Sequence, residues 1–415
     1  MTPTPPTTAP EFPYWRRNKY SLSAATFLLA IGFGAALPFL PLTLRELGVT
    51  EHVETWVGYM VGGYFGISFF LTPVWGVVAD HYGRKAMVLR TSLGMGALTM
   101  LMPVMPSLAG FMLVYLLMGT TNGFNPACHA LIATTTPNRE IGKSLALVQS
   151  GSLLGAALGP AVGAALAGAL PSYRHLFYVN GAFVLAAALL ALVFARERHA
   201  RPAGPFRLNL LADLRIIARL PDLKVLYPIN LAYTLTYYGS VTIISVYTLE
   251  LLHRVGESRP AEINFWIGVV SMVFAVASVL AVPLWGALLD RFGTGRVLAL
   301  SLLCGGAGAL PVALAFSPLQ LAFARAAMGA LAVGIGPACI ALIKARSPRG
   351  MEGRVLSYAA AFGALGMGVG PFVAGQIGPR LGLRAYFVLN AALILVLLLA
   401  WLRSGRRGGE EGEEA

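Results

Sequence analysis

The chain has 415 residues, 57% hydrophobic and only 12% charged, with a formal net charge of +13. A soluble domain carries roughly 25% charged residues, so this composition excludes an ordinary soluble enzyme and points to a bilayer. Three cysteines, Cys128, Cys304 and Cys339, give neither a disulfide framework nor a metal spacing.

In chain order, the first 13 residues are rich in Pro and Thr, and residues 1–20 read as a disordered cytoplasmic N-terminus. Twelve apolar stretches follow, each about 18–28 residues and long enough to cross a membrane. They lie at 21–45, 56–79, 86–105, 108–136, 144–170, 176–195, 224–252, 263–289, 297–316, 319–343, 355–378 and 385–402. The first has no Ala-x-Ala cleavage site, so it reads as a retained helix rather than a signal peptide. Residues 196–222 hold six arginines and read as a cytoplasmic linker, in which Leu208, Leu211, Leu214 and Ile217 form a short amphipathic stretch. The acidic tail 404–415 reads as solvated.

A long segment is written twice. Trp56, Gly58, Pro73, Trp75, Gly76, Asp80 and Gly83 recur 210 residues later as Trp266, Gly268, Pro283, Trp285, Gly286, Asp290 and Gly293. Met118-Gly119 recurs as Met328-Gly329, and Gly155…Gly159-Pro160 as Gly366…Gly370-Pro371. The expected fold is therefore all-α and integral to the membrane, with twelve transmembrane helices as two six-helix repeats (21–195 and 223–403). Parallel repeats of this kind place a substrate site between the halves near mid-membrane; the major facilitator superfamily is a known example.

Of the 31 Lys and Arg, six fall on outer segments, Arg325 lies within a span, and the other 24 lie on the side of the linker. This positive-inside bias puts both termini in the cytoplasm. The basic charge then faces anionic lipid headgroups, not nucleic acid.

Between spans two and three, Gly76, Asp80, Gly83, Arg84 and Lys85 form a glycine-flanked reversal. Asp80 ends its helix where the macrodipole disfavours an anion, so it needs a partner: Arg84, Lys85 or the N-terminus of span eleven. With the partial copy at Asp290 and Gly293, a conformational latch is expected. In span four, Asn122, Asn125 and His129 share one helical face that would line a cavity; His129 is either a core histidine or a proton carrier. Span five carries Gly155, Gly159, Pro160 and Gly163, small residues that allow close helix contact around a loosened backbone. Span seven carries a polar-aromatic stripe, Asn230, Tyr233, Thr234, Tyr237 and Tyr238, suited to amphiphilic ligands or to packing. Arg325 lies roughly 10 Å deep at 1.5 Å per residue, and either snorkels outward or serves function. No Asp or Glu lies in the middle of a span. Glu46 and Glu250, at the outer ends of spans one and seven, are either interface residues or, with His129, the proton-coupling candidates. This lack of a central anion disfavours lipophilic cations as substrates.

Gly-x-x-x-Asp-x-x-Gly-Arg-Lys at 76–85 resembles the signature loop of the major facilitator superfamily. Gly155–Gly163 resembles its antiporter motif, whose bearers are mostly exporters. Leu37-Pro38-Phe39-Leu40-Pro41-Leu42 is similar to a motif of twelve-helix drug/proton antiporters, and Trp15-Arg16-Arg17-Asn18, Leu47–Thr50, Leu93–Gly96 and Gly353–Tyr358 resemble MdtG-type multidrug exporters. One position departs: that group has an arginine in span four where this chain has Tyr115, while the second half keeps Arg325. The resemblance implies an inner-membrane exporter of amphiphilic compounds, driven by protons through alternating access. It would need no cofactor, act as a monomer among membrane lipids, and not be an enzyme. The alternatives are a symporter or uniporter of a small metabolite or sugar, and a non-transporting membrane sensor.

Overall fold

The structure, a computed structural model, describes residues 14–197, 221–347 and 352–413, with the side chains of 73, 76, 77, 80, 138, 221, 352–354 and 405–413 excepted. The amphipathic stretch of the linker and the first 13 residues lie outside the described residues. Among those described there is no strand.

Twelve helical spans follow one another. Span one is Trp15–Ala36, extended through a tight turn at Leu37–Phe39 into Leu40–Glu46. Next come Val53–Tyr82, Arg84–Leu101, the pair Leu108–Thr121 and Phe124–Thr135, Ile141–Ala169 and His175–Phe194. The second set is Pro221–Arg254, Pro260–Phe292, Thr294–Ala313, the pair Pro318–Ala332 and Ile335–Ala345, Glu352–Leu381 and Leu383–Glu413. Among the described residues, nine of these helices are long and apolar enough to cross a bilayer. Most run a few residues past the apolar windows, because polar residues at the ends still continue the helical backbone; the last continues through the tail to Glu413.

Span four departs from the expected single helix. It breaks at Asn122-Gly123 into pieces of 14 and 12 residues. Gly123 sits at φ +119, a left-handed value that a side chain would strain, and the Asn122 carboxamide accepts the Gly123 N–H at 2.8 Å. The shared face proposed for Asn122, Asn125 and His129 is therefore not one continuous helix face.

The sequence repeat is also a repeat of packing. Span one packs on five as seven packs on eleven, three on six as nine on twelve, and two on four as eight on ten. Trp75 Nε1 donates to the Thr120 carbonyl at 2.9 Å; 210 residues on, Trp285 Nε1 donates to the Ala330 carbonyl at 2.8 Å. Gly83 and Gly293 make equivalent reversals at φ +92 and +80.

Two pairs make most of the contact between the halves, span two with eleven and span five with eight. A Cβ on Gly58 would meet the Pro371 carbonyl oxygen at 2.7 Å and Gly375 Cα at 3.1 Å, so backbones touch there. Thr55 Oγ1 donates to the Gly375 carbonyl at 2.7 Å, and Gln376 Nε2 to the Tyr59 hydroxyl at 3.1 Å. Tyr173 donates to Asn264 Oδ1 at 2.9 Å. An apolar plug of Phe39, Leu42, Leu176, Leu249 and Ile267 lies beside it. All these contacts sit toward the face opposite the linker, which is sealed.

Candidate functional site

A cavity of about 160 Å³ lies at the junction of the halves, walled by Leu153 and Ala156 of span five, Tyr233 and Tyr237 of span seven, Phe274 of span eight and Met328 of span ten. Its wall is apolar and aromatic. No hydrogen bond is made by the Tyr233 or Tyr237 hydroxyl among the described residues, so both are available to a ligand. Of the residues expected to line a cavity, Tyr233 and Tyr237 do so. Asn230 is buried and donates to the Ala359 carbonyl at 2.6 Å, tying span seven to eleven. Asn122, Asn125 and His129 stand apart from this cavity, at and beyond the break in span four, where Asn122 Nδ2 donates to Ser68 Oγ at 2.9 Å.

Arg325 lies directly behind the cavity wall. It is 1% exposed and does not snorkel. Its guanidinium carbon sits 4.2 Å from the centroid of the Phe274 ring, and Nη1 donates to Ser240 Oγ at 3.3 Å with Met328 Sδ at 3.7 Å. Nε has no partner, and among the described residues no carboxylate pairs with the group. Placing such a cation at a helix centre costs about 2.5–3.5 kcal/mol on insertion scales. One hydroxyl and one aromatic face offset only part of that.

The span-five motif is a seam. Gly155, Gly159 and Gly163 press on the backbone of span one at Phe27, Gly34 and Ala35; a Cβ on Gly159 would lie 2.6 Å from Gly34 Cα. The neighbouring Pro160 carbonyl would meet a Cβ on Gly268 of span eight at 3.1 Å. One short motif thus touches both halves. Gly366 and Gly370 repeat the seam against span seven.

At the expected latch, the side chain of Asp80 lies outside the described residues. The N–H groups of Arg84 and Lys85 donate to the two oxygens of Glu197, at 3.0 and 2.8 Å, and Lys85 Nζ donates to the Leu192 carbonyl at 2.9 Å. A carboxylate thus caps the N-terminus of span three, where the helix dipole favours it. Asp290, the counterpart in the second half, is exposed with no described partner.

Of the proton-coupling candidates, Glu46 accepts from Ser172 Oγ at 2.5 Å and from the Tyr173 N–H at 3.1 Å, next to the Tyr173–Asn264 contact between the halves. Glu250 pairs with Arg254 at 2.5 Å, one turn away on its own helix. His129 is half-buried, without a described hydrogen bond.

Several anchoring residues were not among the expected site residues. Asn18, fully buried, donates to Thr135 Oγ1 and the Arg196 carbonyl and accepts the Arg196 N–H, joining span one, span four and the start of the linker. Arg90 stacks 3.7 Å from the Trp75 ring centroid and donates to the Thr120 and Asn122 carbonyls, closing the break in span four. The adjacent Asn-Gly dipeptide is a turn signal that could have marked that break.

The Major Facilitator Superfamily model matches residues 22–255 and again 229–415. The multidrug resistance protein MdtG of Citrobacter koseri is 31% identical over 396 residues, covering 95% of this chain and 96% of that protein. Among solved structures, the nucleoside transporter NupG superposes with a TM-score of 0.77 at 12% identity, covering 93% of this chain and 98% of its own. A bacterial homologue of the human lysosomal transporter Spinster, inward-facing and unoccupied, gives 0.72 at 17% identity, with 95% and 97% covered. At these identities the two structures speak for the fold alone.

Proposed function

The chain belongs to the major facilitator superfamily, and on that premise we propose that it exports amphiphilic compounds by the multidrug efflux route, in exchange for protons. It is a multi-pass membrane transporter rather than an enzyme. The observation that carries the export reading is an aromatic, largely apolar cavity at the junction of the halves, in a chain that resembles a multidrug resistance protein along nearly its whole length. Such a wall grips hydrophobic bodies without demanding one shape.

The working parts follow from that reading. The halves, 21–195 and 223–403, rock about the cavity, joined by the linker 196–222, with the linker face and both termini in the cytoplasm. The structure then has its outer face sealed by the Gly58–Gly375 seam and the Phe39 plug. The loop Gly76, Asp80, Gly83, Arg84 and Lys85, with Asp290 and Gly293, latches the cytoplasmic face in the opposite state. Span five's Gly155, Gly159, Pro160 and Gly163 form the pivot between span one and span eight. Glu46 is the favoured proton carrier, because protonating a carboxylate that orders Ser172 and Tyr173 would loosen the outer gate; Glu250 is already paired, and His129 stands away from the gate. Protons supply the energy and no cofactor is needed. The protein acts as a monomer in the inner membrane.

Everted vesicles loaded with a pH-sensitive dye test this. Adding a transported compound should release protons and restore dye fluorescence. A flat trace across a broad panel of amphiphiles, with the protein present and folded, would overturn the export reading.

A further inference from the structure

Arg325 has no role in the scheme above, and its surroundings leave its charge unanswered. It is sealed from solvent, its Nε has no partner, and no carboxylate pairs with it among the described residues. The three carboxylates nearest the sequence ends of the neighbouring spans are otherwise placed. Glu250 is held by Arg254, Glu257 is held by Arg259, and Glu262 lies within 3.5 Å of Arg259. The Tyr386 hydroxyl, a neighbour from span twelve, already donates to the Leu235 carbonyl at 3.2 Å. Phe274 and Met328, which touch the guanidinium, also form the cavity wall, so the cation borders the cavity across a single layer of side chains.

We infer that this cavity is selective for organic anions, with Arg325 supplying the charge that recognises them. The apolar body of the substrate lies among Tyr237, Phe274 and Met328. Its anionic group sits at the Arg325 end, where the free Tyr237 hydroxyl also donates. Charge in a site of low dielectric acts over a longer range than in water, so Arg325 draws an anion and repels a cation even across one aromatic ring. A small rotation of Phe274 would turn that attraction into a direct charge-assisted hydrogen bond, the stronger form. This inference rests on the export reading for its cavity but concerns binding, so the two are separable by experiment.

The probes are 8-anilinonaphthalene-1-sulfonate and its neutral parent N-phenyl-1-naphthylamine, which share one aromatic skeleton. Equilibrium binding is measured to the full-length protein in nanodiscs, with matched empty nanodiscs subtracted, and flux of both probes is measured in proteoliposomes. The wild-type protein should bind the sulfonate more tightly than the parent. Arg325→Gln should weaken sulfonate binding about 10- to 150-fold, the range of a charged hydrogen bond, and leave the parent within about threefold of its wild-type value. Arg325→Lys, which keeps the charge, should retain most of the preference even if Arg325→Gln folds poorly. Equal binding of both probes by the wild-type protein, binding of neither, or a sulfonate preference that survives Arg325→Gln, would each overturn the inference. Selective binding without flux would uphold the anion site and count against export. Flux without charge preference would do the reverse.

Discussion

The seal on the face opposite the linker gives a sharp mechanical prediction. Gly58 and Gly375 let spans two and eleven touch by backbone alone. A methyl on Gly58 would have to occupy space 2.7 Å from the Pro371 carbonyl oxygen and 3.1 Å from Gly375 Cα. Both are main-chain atoms and cannot swing aside as a flexible side chain would. Overpacking of this kind costs about 1–3 kcal/mol. If the halves separate on this face during transport, the open state is spared that cost. Gly58→Ala should then shift the equilibrium toward opening by about 5- to 150-fold, at 1.4 kcal/mol per tenfold. Gly375→Ala, whose methyl would meet the Glu54 carbonyl oxygen at 2.7 Å, should act in the same direction. The assay is the labelling rate of Ile263→Cys, beside the Phe39 plug, by a membrane-impermeant maleimide in intact cells. The background should lack Cys128, Cys304 and Cys339. The rate should rise several-fold or more and turnover should fall. Unchanged labelling with normal turnover would refute the claim that this seam opens during the cycle.

Other consequences are open to direct measurement. Trp285→Phe leaves the Ala330 carbonyl without its indole donor, whereas Trp75→Phe leaves Thr120 its second donor, Arg90. Trp285→Phe should therefore lower thermal stability more, by about 1–3 kcal/mol; equal losses would show that the Arg90 bond is weak. Glu197→Ala removes the cap from span three and should destabilise by about 0.5–2 kcal/mol, visible as faster hydrogen exchange at Arg84 and Lys85. No change there would mean the cap is replaced by water. Glu46→Gln should preserve substrate counterflow while cutting proton release at least tenfold; intact proton release would remove Glu46 as the carrier. On the outer loop, the Arg259 guanidinium pulls the Glu257 carboxyl down to about 2. A depressed carboxyl stabilises above its unfolded pKa of about 4.3 and loses that contribution as pH falls toward 2. Hydrogen exchange in this loop should therefore stay constant from pH 8 to 5 once corrected for intrinsic rates, and protection should fall only in strong acid.

Much of the fold was legible because membrane helices announce themselves one at a time. Each apolar run has to satisfy its own backbone, so length and composition sufficed. The 210-residue echo then paired the halves, and the Trp75 and Trp285 bonds show that the echo is structural. The reversals at Gly83 and Gly293 were also readable, since glycine follows a helix-ending Asp by three residues in both halves. The break in span four was not, because apolar residues continue on both sides of Asn122-Gly123 and hide the turn signal. Its counterpart in span ten breaks at Val333-Gly334 without a left-handed residue, so the repeat gave no warning. The cavity's place was half legible. Spacing puts Tyr233 and Tyr237 on one stripe, and both line the cavity, whereas a shared face for Asn122, Asn125 and His129 requires a straight span four. Depth along the chain located Arg325, but the absence of a partner depends on contacts from spans seven and eight that no local pattern reveals. The caps made by Glu197 and Asn18 join residues more than a hundred positions apart and were invisible for the same reason.

Under the proposed function, this chain moves amphiphilic compounds outward at the expense of a proton gradient. Purified protein in proteoliposomes, preloaded with an amphiphilic dye and subjected to an imposed pH jump, tests it most directly. Dye should move against its own gradient toward the more acidic side, and a protonophore that collapses the pH difference should abolish that movement. Dye movement only down its own gradient, at a rate indifferent to the pH jump, would contradict it.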